Sequence, residues 1–479
     1  MTRKPGILLS LLPITALVIL LIITVSVFNN NALSGASQIV LLVATALCCV
    51  ISVGYLKVSW KTLEHAMVNN IDSVAPSILI LLMIGAVAGT WMVSGVVPTL
   101  IYYGMQIIHP SFFLASTCVI CAIVSLMTGS SWTTIATIGI ALLGIGKVQG
   151  FSEGWIAGAI ISGAYFGDKM SPLSDTTVLA ASVSETPLFR HIRYMLITTV
   201  PTMIITLIIF AVFGFSNEVT NTAEIERFNT AVAQTFNISP WLLVVPVATM
   251  LMIAKKIPSI VTLFVSAALA LIATYIFQPE LIKQIAGSEY TGAAASYAGG
   301  LKILFGSTQI ESGFQDLNEL IATRGMGGML NTIWLIICAM CFGGAMTASG
   351  MLGTITSMFI RFMTNTFGTV ASTVASGLLL NLTASDQYIA IILNGNMFKS
   401  IYDKDGYEDR LLSRTLEDSI TVTSALIPWN TCGMTQSTIL NVPTLTYLPY
   451  CFFNLISPIM TLIIAALGYK IKRIKYEKS

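Results

Sequence analysis

Apolar stretches long enough to matter to a bilayer recur along the chain: Ile7–Phe28, Gln38–Leu56, Val74–Val93, Ser111–Met127, Ile192–Phe215, Trp241–Ile253, Ser259–Phe277, Leu330–Ala348, Thr369–Leu382 and Leu445–Tyr469. A membrane span takes about 20 such residues, so the pattern predicts an all-α polytopic membrane protein of about 10 to 12 transmembrane helices plus hairpins. No room is left for a separate soluble domain. The first stretch is too long for a signal-peptide core and lacks a clear small-residue cleavage site, so it reads as a membrane helix.

Two regions break the pattern. Residues 128–185 and 383–440 are fairly apolar, but Gly, Ser, Thr, Pro, Asp and Asn interrupt them too often for plain lipid-facing helices. Backbone that breaks at membrane depth must be buried in protein or line a watery cavity, because its freed N–H and C=O groups cannot be left in hydrocarbon. The two regions echo each other. In the first, Thr128-Gly-Ser-Ser-Trp-Thr-Thr134 opens an apolar stretch and is followed by Gly167-Asp-Lys-Met-Ser-Pro-Leu-Ser-Asp-Thr-Thr177. In the second, Thr383-Ala-Ser-Asp-Gln-Tyr388 opens one and is followed by Ser424-Ala-Leu-Ile-Pro-Trp-Asn-Thr-Cys-Gly433. Aligning Pro172 with Pro428 sets Ser174 opposite Asn430 and Asp175 opposite Thr431. Paired interruptions in two halves point to a secondary transporter built from repeats, with its site where they meet. Chance similarity of small-residue packing motifs is the competing account. The expected organisation is a first half, 1–215, an external linker, 216–239, and a second half, 240–479.

Composition agrees. Of 479 residues 55% are hydrophobic and only 10% charged, too few polar groups to coat a soluble domain. A formal charge of +2 is no nucleic-acid signature. The basic residues instead mark topology. Arg3, Lys4, Lys57, Lys61, Arg190, Arg193, Lys255, Lys256, Arg361, the stretch Lys399–Arg414 and the tail with Lys470, Lys472, Arg473, Lys475 and Lys478 should be cytoplasmic. Asn217–Ser239 and Gln278–Gly328 should lie outside, which puts both termini in the cytoplasm. The eight cysteines mostly sit inside apolar runs and read as small buried hydrophobes; the Cys118/Cys121 and Cys338/Cys341 spacings lack a histidine or second pair for zinc. His65, His109 and His191 are scattered. The spacings Gly85/Gly89, Gly154/Gly158 and Gly163/Gly167 suit close helix contacts.

Acids at membrane depth carry the chemistry, since placing one there costs several kcal/mol unless it is paired, solvated or neutralised. Asp175 is flanked by Ser174, Thr176 and Thr177, whose hydroxyls can supply oxygen ligands to a hard cation, here Na+ at Asp175, Ser174 and Thr176. Pro172 can free nearby carbonyls as further ligands. The alternative is a helix N-cap at Ser174. Asp168 is either an ion or proton handler or the partner of Lys169 in a simple ion pair. Asp386 has no basic neighbour in sequence and can trade a proton for a cation, or serve as an N-cap. Glu417 and Asp418, close after Arg410 and Arg414, read as a surface helix pairing. Trp132, Tyr165, Tyr388 and Trp429 either wall an organic substrate or pack and anchor the helices.

The string Gly167 to Thr177, with Asp386-Gln-Tyr388, Leu412-Ser-Arg-Thr-Leu-Glu-Asp418 and Ile427-Pro-Trp-Asn-Thr-Cys-Gly433, resembles the NhaC family of bacterial sodium/proton antiporters over most of the chain. The resemblance implies an inverted-repeat carrier of the ion transporter superfamily in the bacterial cytoplasmic membrane, with interrupted helices and re-entrant hairpins. It implies a site of Ser130, Ser131, Asp168, Ser174, Asp175, Thr176 and Thr177 from one half with Asp386, Asn430 and Thr431 from the other. The expected activity is Na+/H+ antiport by alternating access, not an enzymatic reaction. No cofactor is expected beyond Na+ and H+ as transported or coupling ions, and no partner beyond membrane lipids, with a homodimer left open. The alternative is an ion-coupled carrier of a small amino acid or a carboxylate such as malate or lactate. An intramembrane aspartyl protease is disfavoured because Gly-x-Gly-Asp is absent and Tyr402-Asp403 falls in a charged loop. Acids in two broken segments suit a carrier better than a passive channel.

Overall fold

The computed structural model describes residues 4–28, 35–107, 109–216, 222–255 and 257–473. Arg3, Lys256, Lys475, Lys478 and the 217–221 portion of the expected external linker lie outside the described residues. Helices α1 (Ile7–Phe28), α2 (Ala36–Gly54), α3 (Trp60–Val93), α4 (Val96–Ile107) and α5 (Phe113–Thr128) lead to α6 (Ser131–Thr134), which continues through a π-turn at Ile135–Gly139 into α7 (Ile140–Val148). Then come α8 (Glu153–Met170), α9 (Asp175–Val183), α10 (Leu188–Ser216) and α11 (Thr222–Thr235). The second half runs α12 (Val244–Ala254), α13 (Ser259–Phe277), α14 (Pro279–Ala286), α15 (Gly292–Phe305), α16 (Gln315–Ile321), α17 (Leu330–Ala348), α18 (Met351–Ile360), α19 (Thr366–Thr383) and α20 (Gln387–Lys404). It closes with α21 (Asp409–Leu416), a π-turn at Glu417–Thr421, α22 (Val422–Ser424), α23 (Thr431–Leu440), α24 (Thr444–Tyr447) and α25 (Phe452–Ala466).

The protein is an all-α, multi-pass membrane protein. Among the described residues eight helices are long and apolar enough to cross a membrane, or ten if each of two bent pairs is one span. Helices α8, α19 and α20 have 18 residues each but stand apart from that set, because they carry the polar residues of the interior. The layering is legible in burial: 78% of Ser131–Val148 is buried within the protein, against 33% of the apolar core of Leu188–Phe215. The interrupted segments therefore form the centre, and lipid meets helices such as α10.

Two expected spans differ in shape. Leu445–Tyr469 is not one helix: Pro449, which has no N–H to give to a helical ladder, sits in a 3-10 turn, and the flanking pieces meet at 54°. Likewise the Trp241–Ile253 stretch begins in a 3-10 turn at Pro240–Leu243 and is bent 88° from Glu226–Thr235. The Val74–Val93 stretch is only the apolar end of α3, which starts 14 residues earlier at Trp60 behind the Ser59 cap. The segment expected outside, Gln278–Gly328, builds α14, α15 and α16 and lies against α3, where a side chain at Gly85 would sit 2.6 Å from the Gly325 carbonyl.

All three Gly-x-x-x-Gly spacings are close backbone contacts. Gly163 and Gly167 on α8 face the Cys118 and Ala122 carbonyls of α5, and Gly158 faces the Tyr450 carbonyl at 2.5 Å from where a Cβ would stand. Gly163→Leu is accordingly expected to force α5 and α8 apart and to cost about 1–3 kcal/mol. A thermal midpoint in detergent equal to that of the unaltered protein would contradict this packing. At one end of the molecule the charged segments meet: Lys399 Nζ lies 2.7 Å from Asp403, 3.2 Å from Asp409 and 3.4 Å from Glu185. The Arg473 guanidinium donates to Tyr407 at the same end. Segments that the basic residues assign to a single membrane face are thus in contact.

Candidate ion-binding site

Each interrupted region contains two breaks, and each break restarts as a helix with a polar cap. Helix α5 ends at Gly129 in the left-handed conformation (φ 68°), and α6 starts behind Ser130, whose Oγ accepts from Thr133 N at 3.2 Å. After α8, Pro172 stops the ladder and α9 starts behind Ser174, whose Oγ accepts from Thr177 N at 3.4 Å. In the second half Ser385 takes a positive φ of 59°, unusual for a residue with a side chain, and Asp386 caps α20 by accepting from Tyr388 N and Ile389 N at 2.9 and 3.1 Å. Beyond Pro428, Asn430 caps α23 by accepting from Cys432 N at 3.1 Å. The N-cap alternatives raised for Ser174 and Asp386 are therefore present as geometry. They do not use up the groups, since both bonds to Asp386 fall on Oδ1 and leave Oδ2 free for another partner.

Within each half the two breaks cross. In the first, Ser131 donates from its N–H (3.0 Å) and from Oγ (2.7 Å) to Asp168 Oδ2, and Gly129 lies against the Leu173 backbone so closely that a Cβ would be 2.7 Å from it. In the second, Thr431 Oγ1 donates to Asp386 Oδ2 at 2.9 Å and Thr431 N donates to Ser385 O at 2.9 Å. Trp429 Nε1 donates to Leu382 O, and Asn430 Nδ2 to Asn381 O. Each crossing thus holds one acid against one hydroxyl, with their positions exchanged. The acid sits before the second break in the first half and at the first break in the second half. Asp168 and Asp386 are 7% and 1% exposed.

The crossings face one another. Tyr388 lies within electrostatic reach of Asp168, Asp175 and Asp386, and Cys432 beside Trp132, Tyr165 and Ser424. Gln436 Nε2 donates to Tyr165 OH at 3.3 Å, tying α23 to α8. The Trp132 indole N–H, Ser385 Oγ and Gln436 Oε1 are buried in this region without a hydrogen-bond partner. Two buried acids can hold a cation, and the positive ends of four helices favour an anion beside them.

Two sequence readings need correction. Asp168 does not pair with Lys169. The Lys169 ammonium is fully buried and bonds to Asp418 across 249 residues, because helix geometry turns adjacent residues about 100° apart and sends the two side chains to different neighbours. Nor are Glu417, Asp418 and Arg414 a surface pairing: all three are 0% exposed, and Arg414 Nε is 3.9 Å from Asp418 Oδ2 inside the protein. Ser457 and Thr461 of α25 also donate to Asp418, at 3.3 and 2.5 Å. Asp175 is exposed and makes no hydrogen bond to the neighbouring hydroxyls, whereas Thr176 and Thr177 are buried and Ser174 Oγ is 3.0 Å from Thr176 Oγ1. The suggested Asp175, Ser174 and Thr176 set is not brought into contact in this conformation.

Sequence reasoning also missed the groups that make the second break tolerable. At the end of the α21–α22 segment, Asn381, Asn454 and Tyr447 donate to the carbonyls of Ile420, Val422 and Ala425 at 2.7, 2.7 and 2.8 Å. Nothing in their local sequence marks them. Asp418 and Arg414 had a signal: charged residues running without a turn into Ile420 and Val422.

Comparison with known proteins bears on the whole chain. Residues 163–469 match the model of the Na+/H+ antiporter family. The malate-2H+/Na+-lactate antiporter of Bacillus subtilis is 36% identical over 90% of this chain and 88% of its own length. The Na+/H+ antiporter NhaC of Alkalihalophilus pseudofirmus is 36% identical over 86% of this chain and 87% of its own. The arginine/ornithine antiporter ArcD of Halobacterium salinarum is 31% identical over 98% of this chain and 93% of its own.

Proposed function

The chain belongs to the Na+/H+ antiporter family, whose NhaC members it resembles in sequence over most of its length, and from that membership we propose that it exchanges Na+ for H+ by alternating access. The observation that carries the proposal is the pair of acid–hydroxyl contacts, Asp168 with Ser131 and Asp386 with Thr431, at crossings of broken helices. The Asp386 carboxylate can hold either a sodium ion or a proton, and competition for its oxygens couples the two fluxes, with Asp168 as a further ligand for the ion. In this reading Ser130, Ser174, Thr176, Thr177 and the Asn430 amide supply further oxygen ligands. Asp175, at the exposed start of α9, receives the ion on its way to them. The two halves, 1–215 and 240–479, act as inverted repeats that rock against each other around the site, and 216–239 links them on the outside. Both termini face the cytoplasm of a bacterial cell, as does the Arg190, Lys399–Arg414 and Arg473 end of the molecule.

Losing the Asp175 charge is expected to weaken sodium binding by about tenfold in Asp175→Asn, the effect of about 1.4 kcal/mol. The measurement is the sodium concentration that half-maximally raises the thermal midpoint of purified protein. An unchanged concentration would remove Asp175 from the ion's path.

A second reading, coupled transport of an amino acid or small carboxylate, is favoured by two relatives whose names describe malate, lactate, arginine and ornithine. The helix N-termini behind Ser130 and Asn430 would receive a substrate carboxylate, with Trp132, Tyr388 and Trp429 shaping its pocket. Sodium-dependent heat protection by one such solute, and none by sodium alone, would select this reading over simple antiport.

A further inference from the structure

Beside the two crossings lies a second set of buried charges, centred on the π-turn at Glu417–Thr421. It holds two basic side chains, Lys169 and Arg414, and faces three acids, Asp418, Glu417 and Asp168. All of these except Asp168, at 7%, are 0% exposed. A buried set of charges is tolerable only when they balance and are hydrogen-bonded, so three carboxylates against two cations leave one negative charge too many.

The hydrogen bonds show where that excess is removed. Asp168 accepts twice from Ser131, and Asp418 accepts from Lys169, Ser457 and Thr461, so both are solvated as anions by the protein. Glu417 has only the Thr421 hydroxyl beside it, and neither of its buried oxygens nor that hydroxyl makes a hydrogen bond of ordinary geometry. A bare carboxylate could not be kept charged there, whereas a carboxylic acid has one O–H to give, and Thr421 Oγ1 can take it.

The other groups around the π-turn do not supply a compensating charge. His191, which faces Lys169 and Asp418, is bonded through Nδ1 to Ser413 (2.7 Å), and its buried Nε2 has no acceptor, as befits a neutral ring. Tyr194 lies under the Arg414 guanidinium at 4.7 Å, and Tyr402 also faces Arg414 while bonding Thr373. Arg410 and Glu408, which reach Tyr194, pair with each other. Of the helices packed on the π-turn, α19 and α25 contain no titratable residue, and α9 contains only exposed Asp175. On α20, Tyr388 faces the crossings, and Lys399 is engaged with Asp403 and Asp409.

Resting on the exchange reading, we propose that Glu417 is a proton-carrying site of the transporter, distinct from the acids at the crossings: it holds its proton in the sodium-free state and yields it when sodium reaches Asp168. The charge count closes in both states. With the proton on Glu417, two cations face two anions; with sodium beside Asp168, three positive charges face three anions.

The test uses full-length protein in weakly buffered detergent with a pH indicator, titrated with NaCl against choline chloride. The unaltered protein releases protons as sodium binds, and Glu417→Gln, which fixes the neutral state, releases about one fewer per sodium bound. In Glu417→Gln the sodium affinity also depends less on pH. Sodium-induced difference infrared spectra supply an independent readout: the carbonyl band of a protonated acid lost on sodium binding is absent in Glu417→Gln and shifted in Glu417→Asp. The Asp variant carries the test if the Gln variant is not recovered folded. Proton release and spectra unchanged by either substitution would overturn the role of Glu417. No release from the unaltered protein would instead overturn the exchange reading on which it rests.

Discussion

Asp386→Asn folds normally and loses sodium-driven proton movement, with a rate reduced by about a hundredfold or more, as removal of a charged buried ligand worth about 3 kcal/mol implies. The separation of folding from transport follows from the geometry. Asp386 Oδ1 caps α20 through Tyr388 N and Ile389 N, and an asparagine Oδ1 can accept the same two bonds. What the substitution deletes is the charge on Oδ2, where Thr431 donates and where the proposed exchange would hold sodium or a proton. Thr431→Val, which removes the hydroxyl but leaves the acid, is expected to weaken sodium affinity while retaining measurable exchange. Asp386→Asn protein that folds and still exchanges at the unaltered rate would remove Asp386 from the ion's path.

Breaking the Lys169–Asp418 pair has the largest expected effect on stability. Both side chains are wholly buried, so Asp418→Leu strands the ammonium in the interior at a cost of about 3–5 kcal/mol. Arg414, already 3.9 Å from Asp418 and without a hydrogen bond on any of its three nitrogens, loses its nearest anion at the same time. Replacing both partners, Lys169→Met with Asp418→Leu, should recover the part of the loss that comes from the stranded ammonium, while Arg414 still lacks its nearest anion. Thermal unfolding in detergent decides it. A double variant no more stable than Asp418→Leu alone would mean that the pair is not the stabilising unit.

The membrane character and the breaks were legible in the sequence because both are local. Apolar length specifies a span, and Gly129, Pro172 and Pro428 specify where a ladder stops. Ser130, Ser174, Asp386 and Asn430 each cap a restarting helix, which short-range pattern can also suggest. Partner choice was not legible. Asp168 sits beside Lys169 in sequence, yet the first meets Ser131 and the second meets Asp418, since direction around a helix decides contact and adjacency does not. Burial failed for a related reason: Arg414, Glu417 and Asp418 look like a solvated helix face until the surrounding helices are known. The Asn381, Asn454 and Tyr447 donors that satisfy the ends of broken helices act over distances of 22 to 39 residues, beyond any local signal.

In the proposed scheme the acid–hydroxyl contacts would serve the coupling ion, and the adjoining helix N-termini and aromatic side chains would suit another ligand. Family membership is thus compatible with more than one cargo, and the ion step is the part common to both readings.

The most direct test of that step is purified protein in liposomes with a pH dye inside and an imposed sodium gradient, in the absence of any organic solute. Sodium alone is expected to drive protons the opposite way, with the signal lost in Asp386→Asn. Silence under sodium alone, followed by proton movement once an amino acid or carboxylate is added, would contradict simple exchange and identify a solute carrier.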